Sequence, residues 1–134
     1  MKILAVDYGT KRLGVAMGAD REMLFSKTLE VSSEEQATEE LTRLINQEEI
    51  GTLVFGLPLR LDGSEKEEAR HVRQFAAQVT EGKHLPVVFI DERLSSEEAR
   101  SILREQEVTE KEMRGKIDKI VAELLLEQYY RQRG

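Results

Sequence analysis

The order of the apolar runs along the chain restricts the fold more than any other feature. The first three runs, at 3–6, 13–17 and 24–31, are joined by segments short enough for hairpins, which predicts three strands paired antiparallel. Two further strand-like runs, at 52–55 and 87–90, each follow a segment with helical periodicity. Right-handed crossovers would place these two strands beyond the first strand. We therefore expect an α/β fold with a five-stranded mixed sheet of order 3-2-1-4-5, strand 2 antiparallel, and helices on both faces.

Four helices are expected around this sheet, and their ends are read from local signals. Gly51 is expected to end the first helix, and the serines and glutamates at 95–98 predict a capping box that begins the third. The last helix is expected at 116–130, after a highly charged segment, 106–115, that we interpret as a flexible link or a short helix. The length of 134 residues suits one domain, which we expect to span residues 1–134.

Composition excludes several classes of protein. The chain has no cysteine, so disulfides, thiolate metal sites and cysteine nucleophiles are excluded. Its apolar runs are shorter than the ~20 residues that span a bilayer, and the first meets Asp7 too early for a secretory signal. We expect a soluble, cytoplasmic protein that does not contact a membrane. The net charge of −6 argues against a generally basic surface, but 33–50 carries −5 and 111–134 carries +2. A surface that faces phosphates is therefore expected on one side only.

Carboxylates follow the predicted strands at one edge of the sheet. Asp7 ends the first strand, Asp91 and Glu92 end the fifth, and Asp118 lies in the first turn of the expected last helix. Because the carboxyl ends of parallel strands meet at one edge, these side chains are expected to cluster. Such oxygen donors suit Mg²⁺ or Mn²⁺, and two ions could activate water and stabilise the leaving oxygen of a phosphodiester. Taken alone, each acid is also explained as a turn former or a helix-start residue.

Basic residues at the same predicted edge would hold a polyanionic substrate near the acids. They are Lys11, Arg12, Arg60, Arg93 and Lys116. Ordinary surface charge explains any single one of them better than substrate binding does. The two histidines, His71 and His84, have no sequence partner that would indicate a catalytic triad. We interpret both as structural or solvated.

Four sequence blocks, in order, resemble the YqgF (RuvX) family of Holliday-junction resolvases. The first block is DYGTKRLGVA at 7–16, and the second is GLP at 56–58 followed by LDGSE at 61–65. The third is DERLSSEEA at 91–99, and the fourth is KID at 116–118, directly before an apolar helix. The blocks cover nearly the whole chain, and the set is more specific than any single block.

The resemblance implies a ribonuclease H-like fold, similar to that of RuvC-type resolvases, and a metal-dependent nuclease that acts on structured nucleic acid. It also implies a link to maturation of the 5′ end of pre-16S ribosomal RNA in bacteria. Matched position by position, Asp7, Glu92 and Asp118 would be the catalytic acids and the ligands of Mg²⁺ or Mn²⁺, with the part taken by Asp91 left open. The implied partners are pre-rRNA or branched DNA, together with ribosomal proteins or the pre-ribosome. Both a monomer and a homodimer are compatible with the sequence.

Two other classes of function compete with a nuclease. Asp7, Gly9 and Thr10 also resemble the first phosphate loop of actin-like ATPases, but 134 residues are few for the two lobes of such proteins. A ribosome-assembly or nucleic-acid-binding factor without catalytic activity could keep the same fold. Binding of a divalent cation by the three acids would favour an enzyme, and its absence would favour such a factor.

Overall fold

The computed structural model describes residues 1–133 of the chain. Its elements follow the predicted order of three strands, then strands alternating with helices. They are β1 (Lys2–Tyr8), β2 (Arg12–Ala19), β3 (Glu22–Glu30), α1 (Glu34–Glu48), β4 (Ile50–Leu57), α2 (Glu67–Val79), β5 (Val87–Asp91), α3 (Arg93–Glu105) and α4 (Glu110–Gln132).

The sheet has the predicted order, β3-β2-β1-β4-β5. The central strand β1 pairs antiparallel with β2 and parallel with β4, and β5 is parallel to β4. The carboxyl ends of β1, β4 and β5 therefore lie at one edge of the sheet, where Tyr8, Leu57 and Asp91 end the three strands. The mixed five-stranded topology is confirmed, and it fixes where the functional side chains can meet.

Side-chain alternation along β1 divides the interior into two cores. Val6 lies in the core formed with α1 and α2, whereas Ala5 lies in the core formed with α3 and α4. The predicted placement of helices on both faces is thus confirmed. The same alternation sends the side chain of Asp7 toward α4 and that of Tyr8 toward α2.

Two helices begin earlier than the sequence predicts. The third starts at Arg93 instead of at a capping box, because the Asp91 carboxylate already accepts a hydrogen bond from the Arg93 backbone N–H at 3.0 Å. Ser95 is buried inside that helix. The last helix starts at Glu110, where the Thr109 hydroxyl caps it, and it runs through Gly115. The segment 106–115, expected to be a flexible link or a short helix, is therefore mostly the first part of α4.

The end of α1 also differs from the prediction. The helix stops at Glu48, and Glu49 adopts a left-handed conformation with φ 53°, its N–H donating to the carbonyl of Ile45. Gly51 instead lies within β4. A glutamate can take the left-handed cap position at a modest cost, so the nearest glycine did not mark the end of the helix. Within residues 1–133, no helix is long and apolar enough to cross a membrane.

Candidate functional site

Asp7 lies at the centre of the sheet edge that is formed by the carboxyl ends of β1, β4 and β5. Its carboxyl group lies within hydrogen-bonding reach of the carboxyl groups of both Glu92 and Asp118. Burial raises the pKa of Asp7 well above its usual value, and the negative charges of Glu92 and Asp118 raise it further. The structure therefore brings together the three acids predicted from the sequence, and both burial and the neighbouring charges disfavour the ionised form of Asp7.

Glu92 reaches this cluster from the residue directly after β5. Its backbone N–H donates to the carbonyl of Leu57 at 3.1 Å, which fixes the turn out of the sheet. Burial is the main cause that raises the pKa of Glu92, with further contributions from the charges of Glu68, Asp118 and Asp91. The hydrogen bond from Asp7 acts in the opposite direction, because it stabilises the Glu92 carboxylate.

Asp118 reaches the cluster from the third turn of α4, and not from the first turn as predicted, because the helix begins at Glu110 and not at 116. Its Oδ2 atom lies 3.4 Å from Nε of Arg12, at the start of β2. Arg12, predicted to bind substrate, therefore contacts one of the acids directly.

Two glycines allow the acids to approach the sheet. Gly14 pairs with Asp7 across β1 and β2, and a Cβ atom there would overlap the backbone of Asp118. A Cβ atom at Gly56 would lie 2.7 Å from Oε2 of Glu92. The sequence analysis did not identify either role, because both glycines lie in segments that read as ordinary strands, Gly14 in β2 and Gly56 in β4.

The donor chemistry of the cluster fits a hard divalent cation. Asp7, Glu92 and Asp118 offer only carboxylate oxygens, which Mg²⁺ and Mn²⁺ prefer. As they stand, no three histidine, aspartate or glutamate side chains of residues 1–133 are arranged to hold a metal ion. The acids contact one another, and Asp118 also contacts Arg12. A cation at this site would have to enter between these carboxyl groups and draw them around itself.

The remaining predicted substrate-binding residues fall into two groups. Lys11, Arg60 and Lys116 are exposed and form no ion pair with any of residues 1–133. Arg93, in contrast, is already engaged by neighbouring groups. Its Nε donates to the Asp91 carboxylate at 3.0 Å, and its Nη1 donates to the carbonyls of Arg60 and Leu61 at 2.9 and 3.0 Å.

The contacts of Arg93 also define the surroundings of Asp91. Hydrogen bonds from Arg93 hold the pKa of the Asp91 carboxyl below its usual value. Asp91 thus pairs with Arg93, while Glu92, its neighbour in sequence, meets Asp7. The pair ties the end of β5 to the segment 58–66, which we call the β4–α2 loop.

A cleft of about 710 Å³ opens beside Glu92, on the α2 side of the sheet. The residues that line it come from the turn after β1, the start of the β4–α2 loop, helix α2 and the end of β5. They are Tyr8, Gly9, Thr10, Pro58, Glu67, Glu68, Arg70, His71, Val72, Gln74 and Glu92.

His71 has partners that the sequence did not reveal. Its Nε2 atom lies 3.3 Å from the Tyr8 hydroxyl and 3.2 Å from Oε2 of Glu34 on α1. The sequence indicated only that His71 has no triad partner and is structural or solvated, and it did not reveal these two contacts. Only the packing of α1 beside α2 brings Glu34 to this histidine, and no local sequence signal encodes that contact.

Comparison with known proteins places these features in context. Residues 1–132 match the family described as RuvX, Holliday junction resolvase. The chain is 37% identical to a "Putative pre-16S rRNA nuclease" of Maridesulfovibrio salexigens, over 95% of this chain and 96% of the relative. It is 38% identical to a protein of the same name from an Anaeromyxobacter species, over 95% and 94% of the two chains.

Solved structures with a similar fold include two resolvases. A fowlpox virus resolvase in complex with Holliday junction DNA superposes with a TM-score of 0.67, at 12% identity and covering 99% of both chains. RuvC of Thermus thermophilus in complex with a Holliday junction substrate gives a TM-score of 0.60 at 12% identity, covering 100% of this chain and 96% of RuvC. At such low identity the likeness shows the fold alone, which is the predicted ribonuclease H-like fold.

Proposed function

This chain belongs to the RuvX Holliday junction resolvase family, and from that premise we propose that it is a divalent-metal-dependent endonuclease that hydrolyses phosphodiester bonds in structured nucleic acid. Its relatives carry the name of a nuclease for pre-16S rRNA. We therefore assign it two candidate substrates, the 5′ end of pre-16S rRNA and branched DNA. In either case the protein would act in the cytoplasm, as one domain over residues 1–134 and away from membranes.

The single observation that carries this proposal is the meeting of three carboxyl groups from distant parts of the chain. Asp7, Glu92 and Asp118 come from β1, the residue after β5 and α4, and both Glu92 and Asp118 lie within hydrogen-bonding reach of Asp7. Clustered acids destabilise a protein, because burial and mutual repulsion both oppose their ionisation. Their convergence at a recessed edge supports a role in function over a role in folding.

In the proposed enzyme these three residues hold one or two Mg²⁺ or Mn²⁺ ions. Such an ion supplies positive charge that neutralises the carboxylates and stabilises the charge that develops on the phosphate. Arg12 keeps Asp118 oriented through its contact at 3.4 Å. The exposed cations Lys11, Arg60 and Lys116 would bind backbone phosphates on either side of the reacting bond.

Recognition by these cations would depend on the shape of the nucleic acid more than on its sequence. Phosphate contacts position a substrate but do not read its bases. Because the net charge is −6, the cations near the cluster would also orient the substrate toward this edge. The rRNA reaction is proposed to take place in pre-ribosomal particles, with ribosomal proteins as partners. The protein would act as a monomer or a homodimer.

Cleavage of two substrates tests the proposal. The parent protein would be incubated with a four-way DNA junction and with a pre-16S rRNA 5′ leader, each with Mg²⁺, with Mn²⁺ or with a chelator. Metal-dependent cleavage is expected, and Asp7→Asn, Glu92→Gln and Asp118→Asn should each slow it at least ~100-fold. Glu39→Gln, an exposed carboxylate on α1, is the matched control and should cleave like the parent.

Two outcomes would contradict the assignment. If all three acid variants cleave as fast as the parent, the cluster is not the catalytic site. If the parent binds both substrates but cleaves neither with any metal, the chain is a nucleic-acid-binding or ribosome-assembly factor that retains the fold.

A further inference from the structure

Three aromatic rings form a column that leads from the core to the cleft beside Glu92. Phe75 is fully buried, and its ring centroid lies 4.3 Å from that of Tyr8. The ring of Tyr8 in turn stacks on His71, with 5.5 Å between centroids and 26° between planes. His71 ends the column at the protein surface, where 46% of its side chain is exposed. The column therefore presents a ring to the solvent at the cleft.

The exposed ring of His71 is held in place from two sides. The Tyr8 hydroxyl and the Glu34 carboxylate both lie within 3.3 Å of its Nε2 atom, and Tyr8 covers one face. A ring fixed in this way loses little conformational entropy when a flat ligand stacks on it. Histidine is among the side chains on which unpaired bases stack in protein–nucleic acid complexes.

The charge of the cleft indicates which part of a nucleotide would enter it. Glu67, Glu68 and Glu92 line the cleft, against the cation of Arg70 and the ring of His71. Glu68 is paired with Lys66 at 3.3 Å, and Arg70 is the only cation among the lining residues named above, so the cleft attracts a phosphodiester little and favours a neutral base. The exposed cations proposed to bind phosphates, Lys11 and Lys116, are not among the residues that line the cleft.

We propose that this cleft is a base-binding subsite, in which one unpaired nucleobase of the substrate extends the aromatic column by stacking on His71. The proposal rests on the proposed nuclease function, because the cleft shares Glu92 with the acid cluster. The volume of about 710 Å³ falls within the usual range of small-molecule sites. In this arrangement the subsite selects substrates that carry an unpaired base next to the bond to be cut.

A binding experiment tests the subsite separately from cleavage. Fluorescein-labelled duplexes of RNA and of DNA would carry either a one-nucleotide bulge or an abasic site at the same position, and anisotropy would be measured with a chelator present. The parent is expected to bind the bulged base roughly ten-fold more tightly than the abasic site. His71→Ala should remove this difference, and His71→Phe should keep it, because the flat ring is retained. The RNA and DNA arms show which nucleic acid supplies the base.

Controls separate failure of this proposal from failure of the nuclease assignment. His84→Ala, at an exposed histidine before β5 and so at the opposite edge of the sheet, should keep the full difference. Asp118→Asn should keep it too while losing cleavage, since Asp118 does not line the cleft. If the parent shows no preference for the base, or His71→Ala keeps the whole preference, the subsite proposal is wrong, whatever the cleavage assay gives.

Discussion

Asp7 lies where three carboxyl groups crowd together, and the folded protein disfavours ionisation of its carboxyl group. The pKa of Asp7 is raised well above its ordinary value of 3.8, first by burial and then by the charges of Glu92 and Asp118. In the unfolded chain the same carboxyl ionises near its ordinary value. Between these two pKa values the folded state binds more protons than the unfolded state, so the free energy of unfolding falls as the pH rises.

Replacing Asp7 with asparagine should therefore stabilise the metal-free protein at neutral pH. Asn removes the ionisable group but keeps its size and hydrogen-bonding capacity. We expect the melting temperature of Asp7→Asn at pH 7.5 with a chelator to exceed that of the parent, by roughly 3–5 °C for each kcal/mol gained. The difference should shrink as the pH is lowered toward 4, because the folded-state carboxyl is then protonated and the cost of protonating it falls as the pH nears its ordinary pKa of 3.8. A variant that melts below the parent at pH 7.5 would show that the Asp7 carboxylate is not under repulsion.

At the scale of single elements, α4 delivers Asp118 by lying directly on β2. Gly14 provides the space, since any side chain there would overlap the Asp118 backbone. Gly115, on the same helix, has no atom within 4 Å of the position where a Cβ would be built. The two glycines thus have opposite roles, one required by packing and one a weak point of the helix.

Alanine at these two glycines should change stability in opposite directions. Gly14→Ala is expected to destabilise the protein by about 1–3 kcal/mol, as overpacked sites do, and to abolish cleavage by displacing Asp118. Gly115→Ala should stabilise it by about 0.5–1 kcal/mol, because alanine is the better helix former. Urea denaturation of both variants measures this, and equal stability of Gly14→Ala and the parent would refute the close packing of α4 on β2.

The β4–α2 loop depends on one side chain from another element. Arg93 donates to two carbonyls of this loop while its other donors hold Asp91. We expect Arg93→Ala to increase amide hydrogen exchange across 58–66 and to leave exchange in β1 unchanged. In the cleavage assay, KM should rise more than kcat falls. The reason is that Arg60 would no longer be held in place to bind the substrate. Arg100→Ala, an exposed arginine on the same helix, is the control. Unchanged exchange in Arg93→Ala would mean that the loop is held by its own turn.

These elements show which features of the structure could be predicted from the sequence and which could not. The strand order followed from run lengths and crossover handedness, so the meeting of Asp7 with Glu92 was predictable. The start of α4 was not, because Gly115 looked like a break while the decisive signal was the Thr109 cap. The contact of Arg93 with the β4–α2 loop and the side-chain partners of His71 were equally hidden, since they come from segments 32 to 63 residues away.

At the scale of the whole molecule, an acidic protein has to bind a polyanion through a small cationic area. The net charge is −6, and the free cations near the acid cluster are few. Binding should therefore be weak away from this area and strongly dependent on salt. Long-range attraction from the whole surface, common among basic nucleic-acid-binding proteins, is not available here.

The salt dependence of binding measures how many phosphates this area contacts. Lys11→Gln, Arg60→Gln and Lys116→Gln should each reduce the slope of log affinity against log salt by about 1 and weaken binding to all sequences similarly. Lys83→Gln, near the start of β5 at the opposite edge, should leave the slope unchanged. Titrations with a labelled four-way junction at several salt concentrations provide the slopes. Equal slopes for all four variants and the parent would place the phosphate contacts elsewhere.

The contact between Gly14 and Asp118 has a consequence for the time at which activity can arise. Translation releases Asp7 and its strand more than one hundred residues before Asp118. Until α4 has been made and has docked, the third carboxylate and the cover over one face of the sheet are both absent. A nuclease built this way is expected to become competent only after α4 docks on β2.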